Sequence, residues 1–423
     1  MSSASSSSST TPAAADAAAV ERDSQTVVLP DGRTLGFAEY GAPDGHPVIY
    51  LHGFPSNRLE GAAFDAAAKQ HKVRLLSLDR PGMGLSTLQP GRQLLDWPDD
   101  VLAFAKAQDI ARFGVLGISG GGPYVLACAR KLPATALTHV GIMCGAGDFG
   151  PEARKAGVIP RRSRWTNALV QYWPWGFRMI LGTIVGLANW IVHTKPVTRR
   201  IDAWLAATDQ KKAEHKAEER AAKKKKNEAE AEAEAEAEAA AAAAGTSDTR
   251  SIGGSVDDFE EISGPLAGSI ESLSTIATKP GSSKAMDDVT GSDVAEEEEE
   301  NDDDDGTPQR TIPERREALF RALFDTFAQG YQGTLDDARV LASDFGIQYE
   351  DIAFDPVMFW HGDADLNTPL PWTKLIVDRI PHASLKVFPG KTHFTLAEEI
   401  DEIMGHFSPE AGAKTEAGPS SAQ

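Results

Sequence analysis

The chain has 423 residues, a formal net charge of −20 at pH 7 and 41% hydrophobic residues. Residues 209–309 contain 28 acidic and 11 basic side chains, so −17 of the net charge lies in one internal segment and the rest of the chain is nearly balanced. This distribution excludes a nucleic-acid-binding protein built on a broad basic face, and the apolar content excludes a chain that is disordered throughout. Cys128 and Cys144 both lie in apolar runs and predict no disulfide framework, which favours a reducing, cytoplasmic location.

The N-terminal part of the chain predicts alternating strands and helices after a tail. Residues 1–25 are rich in Ser and Ala and contain no apolar targeting segment, so we expect a disordered tail there. Six strands are predicted after this tail, and the last four of them are nearly continuous apolar runs, which is typical of parallel strands covered on both faces. The predicted strands cover residues 26–29, 33–39, 47–51, 73–78, 114–118 and 137–143, and the predicted helices cover 59–70, 98–111 and 121–131.

Ser119 lies at the centre of Gly117-Ile118-Ser119-Gly120-Gly121, between a predicted strand and a predicted helix. A nucleophile at the tip of such a sharp turn needs small neighbours, which the three glycines provide. A dinucleotide-binding loop would need glycine at position 119, so that interpretation of the turn fails. Because a serine hydroxyl is a good nucleophile only when a base takes its proton, the motif requires a histidine elsewhere in the chain.

A long interruption follows the strand at 137–143. Its flanks, residues 161–207 and 313–345, have helical and partly apolar patterns, whereas its centre is of low complexity. A Lys/Glu/Ala-rich tract at 211–244 favours a solvated helix, and the Ser-, Gly- and acid-rich residues after it favour disorder. We expect the acidic insert at 209–309 to be a solvated spacer or, alternatively, a docking segment for a partner that the sequence does not identify.

The apolar run at 168–192 contains only three clearly polar residues and allows three interpretations. Its helix can pack on the core, adsorb to an anionic membrane surface or span a bilayer. A span is disfavoured because Pro174 and Arg178 leave only the 14 residues 179–192 uninterrupted. Peripheral membrane contact through residues 161–200 is therefore one of the expectations. The basic residues that flank the run are Arg161, Arg162, Arg164, Lys195, Arg199 and Arg200.

The strand and helix pattern returns at the C-terminal end of the chain. Predicted strands at 356–360 and 384–387, with helices near 371–379 and 395–407, extend the sheet begun by the first half. His393 lies in a glycine-containing loop after the last of these strands. Because loops that follow parallel strands share one edge of the sheet with the Ser119 turn, His393 is the expected base.

The remaining parts of a nucleophilic site also follow predicted strands. A carboxylate must hold the histidine in the correct tautomer, and we expect Asp365 in this role, with Asp363 second and Asp148 third. The developing oxyanion needs amide donors. These are expected from Phe54, in His52-Gly53-Phe54-Pro55, and from Gly120, while His52 is expected to brace its own loop.

Taken in chain order, these motifs resemble the α/β-hydrolase family of serine hydrolases, of the esterase- and lipase-like type. The resemblance implies a mostly parallel α/β sheet with helices on both faces, and a helical cap insertion that carries the acidic segment. It also supports Asp365 as the acid, because the family places this aspartate three residues after the glycine of the motif. The matching segments are 52–55, 79–86, 117–121, 362–365 and 390–394. The implied organisation is a core of residues 26–148 and 346–408, a cap of 149–208 and 310–345, and a disordered tail at 409–423.

The expected reaction is cleavage of an ester or amide of a small apolar substrate through an acyl-enzyme intermediate, without a metal or a cofactor. Epoxide hydrolases and dehalogenases of this fold have aspartate at the position of Ser119, so acyl transfer is favoured. Two alternatives remain open: an amide hydrolase similar to proline iminopeptidases, and a non-catalytic ligand-binding or scaffold protein. A roomy apolar pocket is expected from five tryptophans in the cap, which are Trp165, Trp173, Trp175, Trp190 and Trp204.

Overall fold

A computed structural model describes residues 22–245 and 311–409 of the chain. The described residues fall into two units: 22–208 together with 311–409 form one, and 209–245 belong to the other. The segments 1–21, 246–310 and 410–423, where we expect disorder, lie outside the described residues.

The first unit contains a single eight-stranded sheet with the order β1-β2-β4-β3-β5-β6-β7-β8. The pairs β1/β2 and β2/β4 are antiparallel and every other pair is parallel. The predicted mostly parallel α/β architecture is therefore confirmed. The strands are β1 (Gln25–Val28), β2 (Thr34–Gly41), β3 (His46–Leu51), β4 (Val73–Leu78), β5 (Phe113–Ile118), β6 (Leu137–Met143), β7 (Val357–Gly362) and β8 (Ala383–Phe388).

Helices connect these strands, and a helical segment between β6 and β7 forms the cap. The core helices are α1 (Asp65–Gln70), α2 (Trp97–Ala107), α3 (Gly122–Lys131), α10 (Leu370–Val377) and α11 (Ile400–Gly405). The helices between β6 and β7 are α4 (Pro151–Ala156), α5 (Arg161–Tyr172), α6 (Pro174–Val192), α7 (Lys195–Gly245), α8 (Ile312–Phe324) and α9 (Gln332–Leu341).

The central strands are covered by apolar side chains on both faces, as their composition predicts. In β3, Ile49 and Leu51 belong to one apolar cluster, and Val48 and Tyr50 belong to the cluster on the opposite face. All four side chains are fully buried. Because these β3 residues are buried on whichever face they lie, the sequence of the strand is a continuous apolar run and not an alternation of apolar and polar residues.

Two predicted boundaries are wrong for identifiable reasons. The tail does not extend to residue 25: Asp23 accepts a hydrogen bond from Arg58 Nε at 2.7 Å and pairs with Arg321 of α8. The helix predicted at 59–70 is a 3₁₀ segment (Arg58–Phe64) followed by the short α1. A Cβ at Gly61 would lie 2.9 Å from Ser77 Cβ, so this segment packs too closely on the sheet to carry a side chain there.

Sheet order determines where the loops meet. Leu51 at the end of β3 pairs with Gly117 of β5, and Ile118 pairs with Met143 of β6. Met143 in turn pairs with Trp360 of β7. The carboxyl ends of these parallel strands thus share one edge of the sheet, and the loops that follow them all open on it.

The cap helices on either side of the insert pack together above this edge. Val170 of α5 is fully buried against Leu335 and Ala338 of α9, and Phe54 and Phe177 contact the same cluster. Helices separated by more than 150 residues of sequence therefore form one layer that rests on the loop after β3.

Candidate active site

Ser119 occupies a strained turn between β5 and α3. Its φ is +52°, a conformation that residues with a side chain rarely adopt. A Cβ at Gly121 would lie 2.0 Å from Leu51 O, and one at Gly117 would lie 2.6 Å from Val125 Cγ2. The glycines around Ser119 are therefore required by close packing of the turn against β3 and α3, which matches the sequence argument for small neighbours.

Ser119, His393 and Asp365 come together at the shared edge of the sheet. Ser119 Oγ lies 3.0 Å from His393 Nε2, and His393 Nδ1 lies 2.7 Å from Asp365 Oδ2. The side chain of His393 is 11% exposed, while that of Asp365 is fully buried. Each residue follows a different parallel strand, so the arrangement depends on the sheet topology and not on local sequence.

Asp365 is held as a carboxylate. Its Oδ1 accepts from the amides of Asn367 and Thr368, at 2.6 and 2.9 Å, and its Oδ2 accepts from Thr368 Oγ1 at 2.9 Å. Burial acts to raise the pKa of Asp365, but the hydrogen bonds from His393 and Thr368 outweigh it and leave the pKa below its ordinary value. An ionised Asp365 requires His393 to donate from Nδ1, which leaves Nε2 as the acceptor for the Ser119 hydroxyl.

Replacing Thr368 with valine removes one donor to the Asp365 carboxylate without changing the size of the side chain. We expect kcat for ester hydrolysis to fall about ten-fold with KM unchanged, because a charge-assisted hydrogen bond that positions Asp365, and through it His393, is lost. Thr373→Val is the matched control, since Thr373 Oγ1 bonds the carbonyl of Gly145 and not a carboxylate. Equal losses in the two variants would contradict a role for Thr368 in positioning Asp365.

The two expected oxyanion residues lie in touching segments of backbone. A Cβ at Gly120 would lie 2.7 Å from Phe54 Cβ and 3.2 Å from Phe54 N. The preceding amide of Gly53 donates to Glu60 Oε1 at 2.9 Å, and Tyr50 OH donates to the same oxygen at 2.6 Å. The Gly53 amide is therefore already bonded to Glu60. That the amides of Phe54 and Gly120 donate to an oxyanion stays a prediction.

The other sequence candidates do not contact His393 in the structure. Asp363 accepts from Gly390 N at 2.6 Å and so braces the loop that leads to His393. Asp148 accepts from Phe345 N and Tyr349 OH, and burial raises its pKa. His52 is fully buried and joins backbone atoms only, with Nδ1 2.8 Å from Gly53 O and Nε2 3.3 Å from Arg80 N. Burial lowers its pKa well below the ordinary value, in keeping with the expected bracing role.

A buried ionic cluster beside the Phe54 loop is missing from the sequence argument. Asp337 of α9 accepts from Arg80 Nη2 at 2.8 Å and from Arg92 Nη2 at 2.6 Å, and its side chain is fully buried. Tyr124 OH donates to the same carboxylate at 2.6 Å. Arg80 also donates to the carbonyls of His52 and Gly53. The sequence signal for this cluster is an acidic residue on the buried face of α9, because Asp337 lies about one helical turn from the buried residues Thr334 and Val340.

Cys144 is a second residue that sequence reasoning left without a place in the site. It follows β6 with a φ of +41°, and its sulfur, Asp365 and His393 offer ligand atoms within 4.8 Å of one another. Burial raises the pKa of the Cys144 thiol well above its ordinary value. Asp365 and His393 are already joined by a hydrogen bond, and His393 also bonds Ser119. That the site needs no metal or cofactor stays a prediction.

The cap tryptophans do not line a closed apolar pocket, so that expectation is wrong. Trp165 is 77% exposed, Trp190 is 67% exposed, and the other three are each more than half exposed. The inward positions of the cap are taken instead by Val170, Leu335 and Ala338. Apolar composition predicts burial only where a neighbouring element is available to cover it.

The chain is similar to known proteins in a short part of its sequence and in its fold. No protein-family model matches it. It is 33% identical over 118 residues to the dihydrolipoyllysine-residue acetyltransferase component of the acetoin cleaving system of Pseudomonas putida, covering 27% of this chain and 31% of that protein. It is 32% identical over 111 residues to a non-heme chloroperoxidase of Streptomyces lividans, covering 26% of this chain and 40% of that protein. The match thus spans less than half of either relative.

Solved structures match over most of their length. An esterase from Exiguobacterium antarcticum aligns with a TM-score of 0.51 at 12% identity, covering 90% of this chain and 96% of that one. An epoxide hydrolase from Vigna radiata aligns with a TM-score of 0.51 at 14% identity, covering 93% and 98%. Identity at this level carries information about fold alone. With a mostly parallel eight-stranded sheet, a serine turn after β5 and a helical cap between β6 and β7, the chain has the α/β-hydrolase fold.

Proposed function

We propose that this protein is a serine hydrolase that cleaves a carboxylic ester of a small apolar substrate through an acyl-enzyme intermediate. The observation that carries the proposal is the continuous hydrogen-bonded series from Asp365 through His393 to Ser119, with distances of 2.7 and 3.0 Å. A structural serine or histidine needs no such series, whereas a nucleophile, its base and the group that orients the base require it.

In the first half of the reaction, Ser119 Oγ attacks the ester carbonyl carbon while His393 Nε2 takes the hydroxyl proton. Negative charge develops on the carbonyl oxygen and is stabilised by the amides of Phe54 and Gly120. Asp365 stabilises the imidazolium that forms. The tetrahedral intermediate then collapses: the carbon–oxygen bond to the alcohol breaks, His393 gives its proton to the leaving alkoxide, and the acyl group remains on Ser119.

In the second half, water takes the place of the alcohol. His393 removes a proton from the water as its oxygen attacks the acyl carbon, and the same two amides receive the oxyanion. Collapse breaks the bond to Ser119 Oγ, which recovers its proton from His393, and the carboxylic acid leaves. The two halves together consume one ester and one water and yield one alcohol and one carboxylic acid, without a redox step.

Three further observations support the proposal. One solved structure of similar fold is an esterase, and this chain carries a serine where an alkyl-ester mechanism on this fold uses aspartate. The strained backbone of Ser119 also presents its side chain at the edge of the sheet, where a substrate can approach.

A serine-directed probe tests the proposal directly. We expect a fluorophosphonate to modify the full-length protein at Ser119, identified by mass spectrometry of the labelled peptide, because only an activated serine attacks phosphorus at a useful rate. Ser119→Ala removes the label. Ser384→Ala keeps it, since Ser384 is an exposed residue of β8 away from the turn. Absence of labelling, or labelling that survives in Ser119→Ala, would instead favour a non-catalytic binding protein.

A further inference from the structure

The exposed apolar surface of this protein is concentrated on the cap. Of the 16 large hydrophobic residues that are exposed in the described chain, 11 lie between Trp165 and Trp204. Within α6, Gly176 is the one buried residue, and the most apolar 18 residues of the helix have a mean hydropathy of 1.4. A contiguous apolar surface of this kind on a soluble domain marks a site of interaction.

The α6 helix has one covered side and one open side. Phe177, Leu181, Val185 and Ala188 are half-buried, at helical spacing, and point toward the rest of the cap. The adjoining exposed side carries the stripe Ile180, Ile184, Leu187 and Ile191, which are 43%, 60%, 54% and 40% exposed. The open side is therefore a regular apolar stripe along the whole helix.

The cap holds α6 along its length, which favours adsorption over insertion across a bilayer. A Cβ at Gly182 would lie 3.1 Å from the ring of Tyr331, so the middle of the helix touches the segment before α9. At its C-terminal end, the ring of His193 lies 4.9 Å from that of Phe320 in α8. A membrane-spanning helix needs lipid or membrane-embedded protein on every side, and α6 lacks this freedom.

The charge around the stripe identifies the partner chemistry. Residues 161–204 contain seven Lys or Arg and one acidic residue, Asp202, which is paired with Arg316, although the whole chain has a net charge of −20. Exposed tryptophans lie toward both ends of α6, with Trp173 and Trp175 at its start and Trp190 near its end. Basic residues with tryptophans that rim an apolar stripe match the headgroup region of an anionic bilayer. A second copy of the same basic face would instead be repelled.

We propose that the outward side of α5, α6 and the start of α7, called here the cap face and comprising residues 161–204, adsorbs to membranes that contain anionic phospholipid. The apolar stripe enters the boundary between headgroups and acyl chains, and the basic residues pair with lipid phosphates.

The cap face continues to the rim of the active site. Arg162 of α5 donates a hydrogen bond to the carbonyl of Leu366, which is 79% exposed and follows Asp365. Phe394, which follows His393, is 78% exposed. Adsorption therefore brings the lipid phase next to Ser119, and the substrate class becomes an amphiphilic acyl ester dissolved in the membrane. This consequence rests on the proposed hydrolase function, whereas the adsorption itself does not.

Vesicle binding tests the cap face. The full-length protein is mixed with phosphatidylcholine vesicles that contain about 30 mol% phosphatidylserine or none, and bound protein is recovered by flotation. We expect binding to the anionic vesicles, about ten-fold weaker binding to neutral ones, and release by about 0.5 M NaCl or alkaline carbonate. No binding to anionic vesicles, or retention after carbonate as for a spanning helix, would overturn the proposal.

A double variant locates the binding to the stripe. Ile184→Glu with Leu187→Glu is expected to reduce vesicle binding about ten-fold or more, because both side chains are exposed and a charge cannot enter the acyl boundary. Val28→Glu, at an exposed position of β1 that is 69% accessible, is the matched control and keeps full binding. Unfolding midpoints of the three proteins report whether a loss reflects misfolding. Equal binding by a folded double variant would contradict the assignment.

Activity separates the two proposals. Initial hydrolysis rates are measured for a fluorogenic acyl ester carried in anionic vesicles and for a water-soluble short-chain ester. The rate on the vesicle-borne ester divided by the rate on the soluble ester is expected to fall about ten-fold in the double variant and to stay constant in Val28→Glu. An unchanged ratio would overturn the lipid-dissolved substrate. Vesicle binding without hydrolysis of either ester would instead contradict the hydrolase function and leave the cap face supported.

Discussion

Replacing Ser119 with alanine is expected to lower kcat/KM for a p-nitrophenyl ester by about 10⁴-fold or more. Without the hydroxyl, no acyl-enzyme can form, and only binding and the amides of the oxyanion site remain to accelerate hydrolysis by water. Initial rates with p-nitrophenyl butyrate measure the loss. Ser384→Ala in exposed β8 is the control and retains wild-type rates.

The same experiment shows whether Ser119 and Asp365 act as one unit. Asp365→Asn alone is expected to cost about 10⁴-fold in kcat, because His393 then loses the carboxylate that fixes its tautomer. Adding Asp365→Asn to Ser119→Ala should cost little more, since the step that the aspartate serves is already absent. Losses that multiply in the double variant would contradict a shared mechanism, even if each single variant were slow.

Asp337→Asn is expected to reduce the free energy of unfolding by about 3–5 kcal/mol. The substitution leaves Arg80 and Arg92 as buried cations without their carboxylate, and neither side chain can reach solvent, as they are 0% and 2% exposed. Urea unfolding at neutral pH, followed by tryptophan fluorescence, measures the change. Asp378→Asn is the matched control: Asp378 is 57% exposed in its pair with Lys374, so a loss below about 1 kcal/mol is expected there.

The pH dependence of this loss has a defined sign. Burial acts to raise the pKa of Asp337, but Arg80 and Arg92 outweigh it and hold the pKa well below the ordinary value of 3.8. A carboxyl with a lowered pKa in the folded state contributes its full stability above the ordinary pKa and loses it as pH falls toward the folded value. The difference between wild type and Asp337→Asn should therefore be constant above about pH 5 and shrink below about pH 4. A difference that grows on acidification would contradict the ion-pair assignment.

The strands and the Ser119 turn could be predicted from sequence because their signals are local. Buried parallel strands are continuous apolar runs, and a serine at positive φ needs glycines within two residues of it. The loops that carry Asp365 and His393 also follow, because loops after parallel strands share one edge of the sheet, whereas the preference for Asp365 over Asp363 was supported by the family resemblance. The prediction of a helix at 59–70 was wrong because the deciding contact is not local. The composition of this segment is helical, but close packing of Gly61 against the sheet favours the tighter 3₁₀ turn.

The α/β pattern and the serine turn could be read from the sequence, because hydrophobic period and glycine spacing are properties of neighbouring residues. The chain order of the strands then placed the loops of Asp365 and His393 at the same edge as Ser119. Three features depend on packing between distant elements: Asp337 pairs with Arg80 across 257 residues, Glu60 accepts from the Gly53 amide, and the cap tryptophans are exposed. A buried charge finds its partner, and an apolar side chain is covered, only if an element from elsewhere in the chain packs against it. An apolar run such as 168–192 therefore fits a core helix and a membrane face equally well, until the surrounding helices show which side is left open.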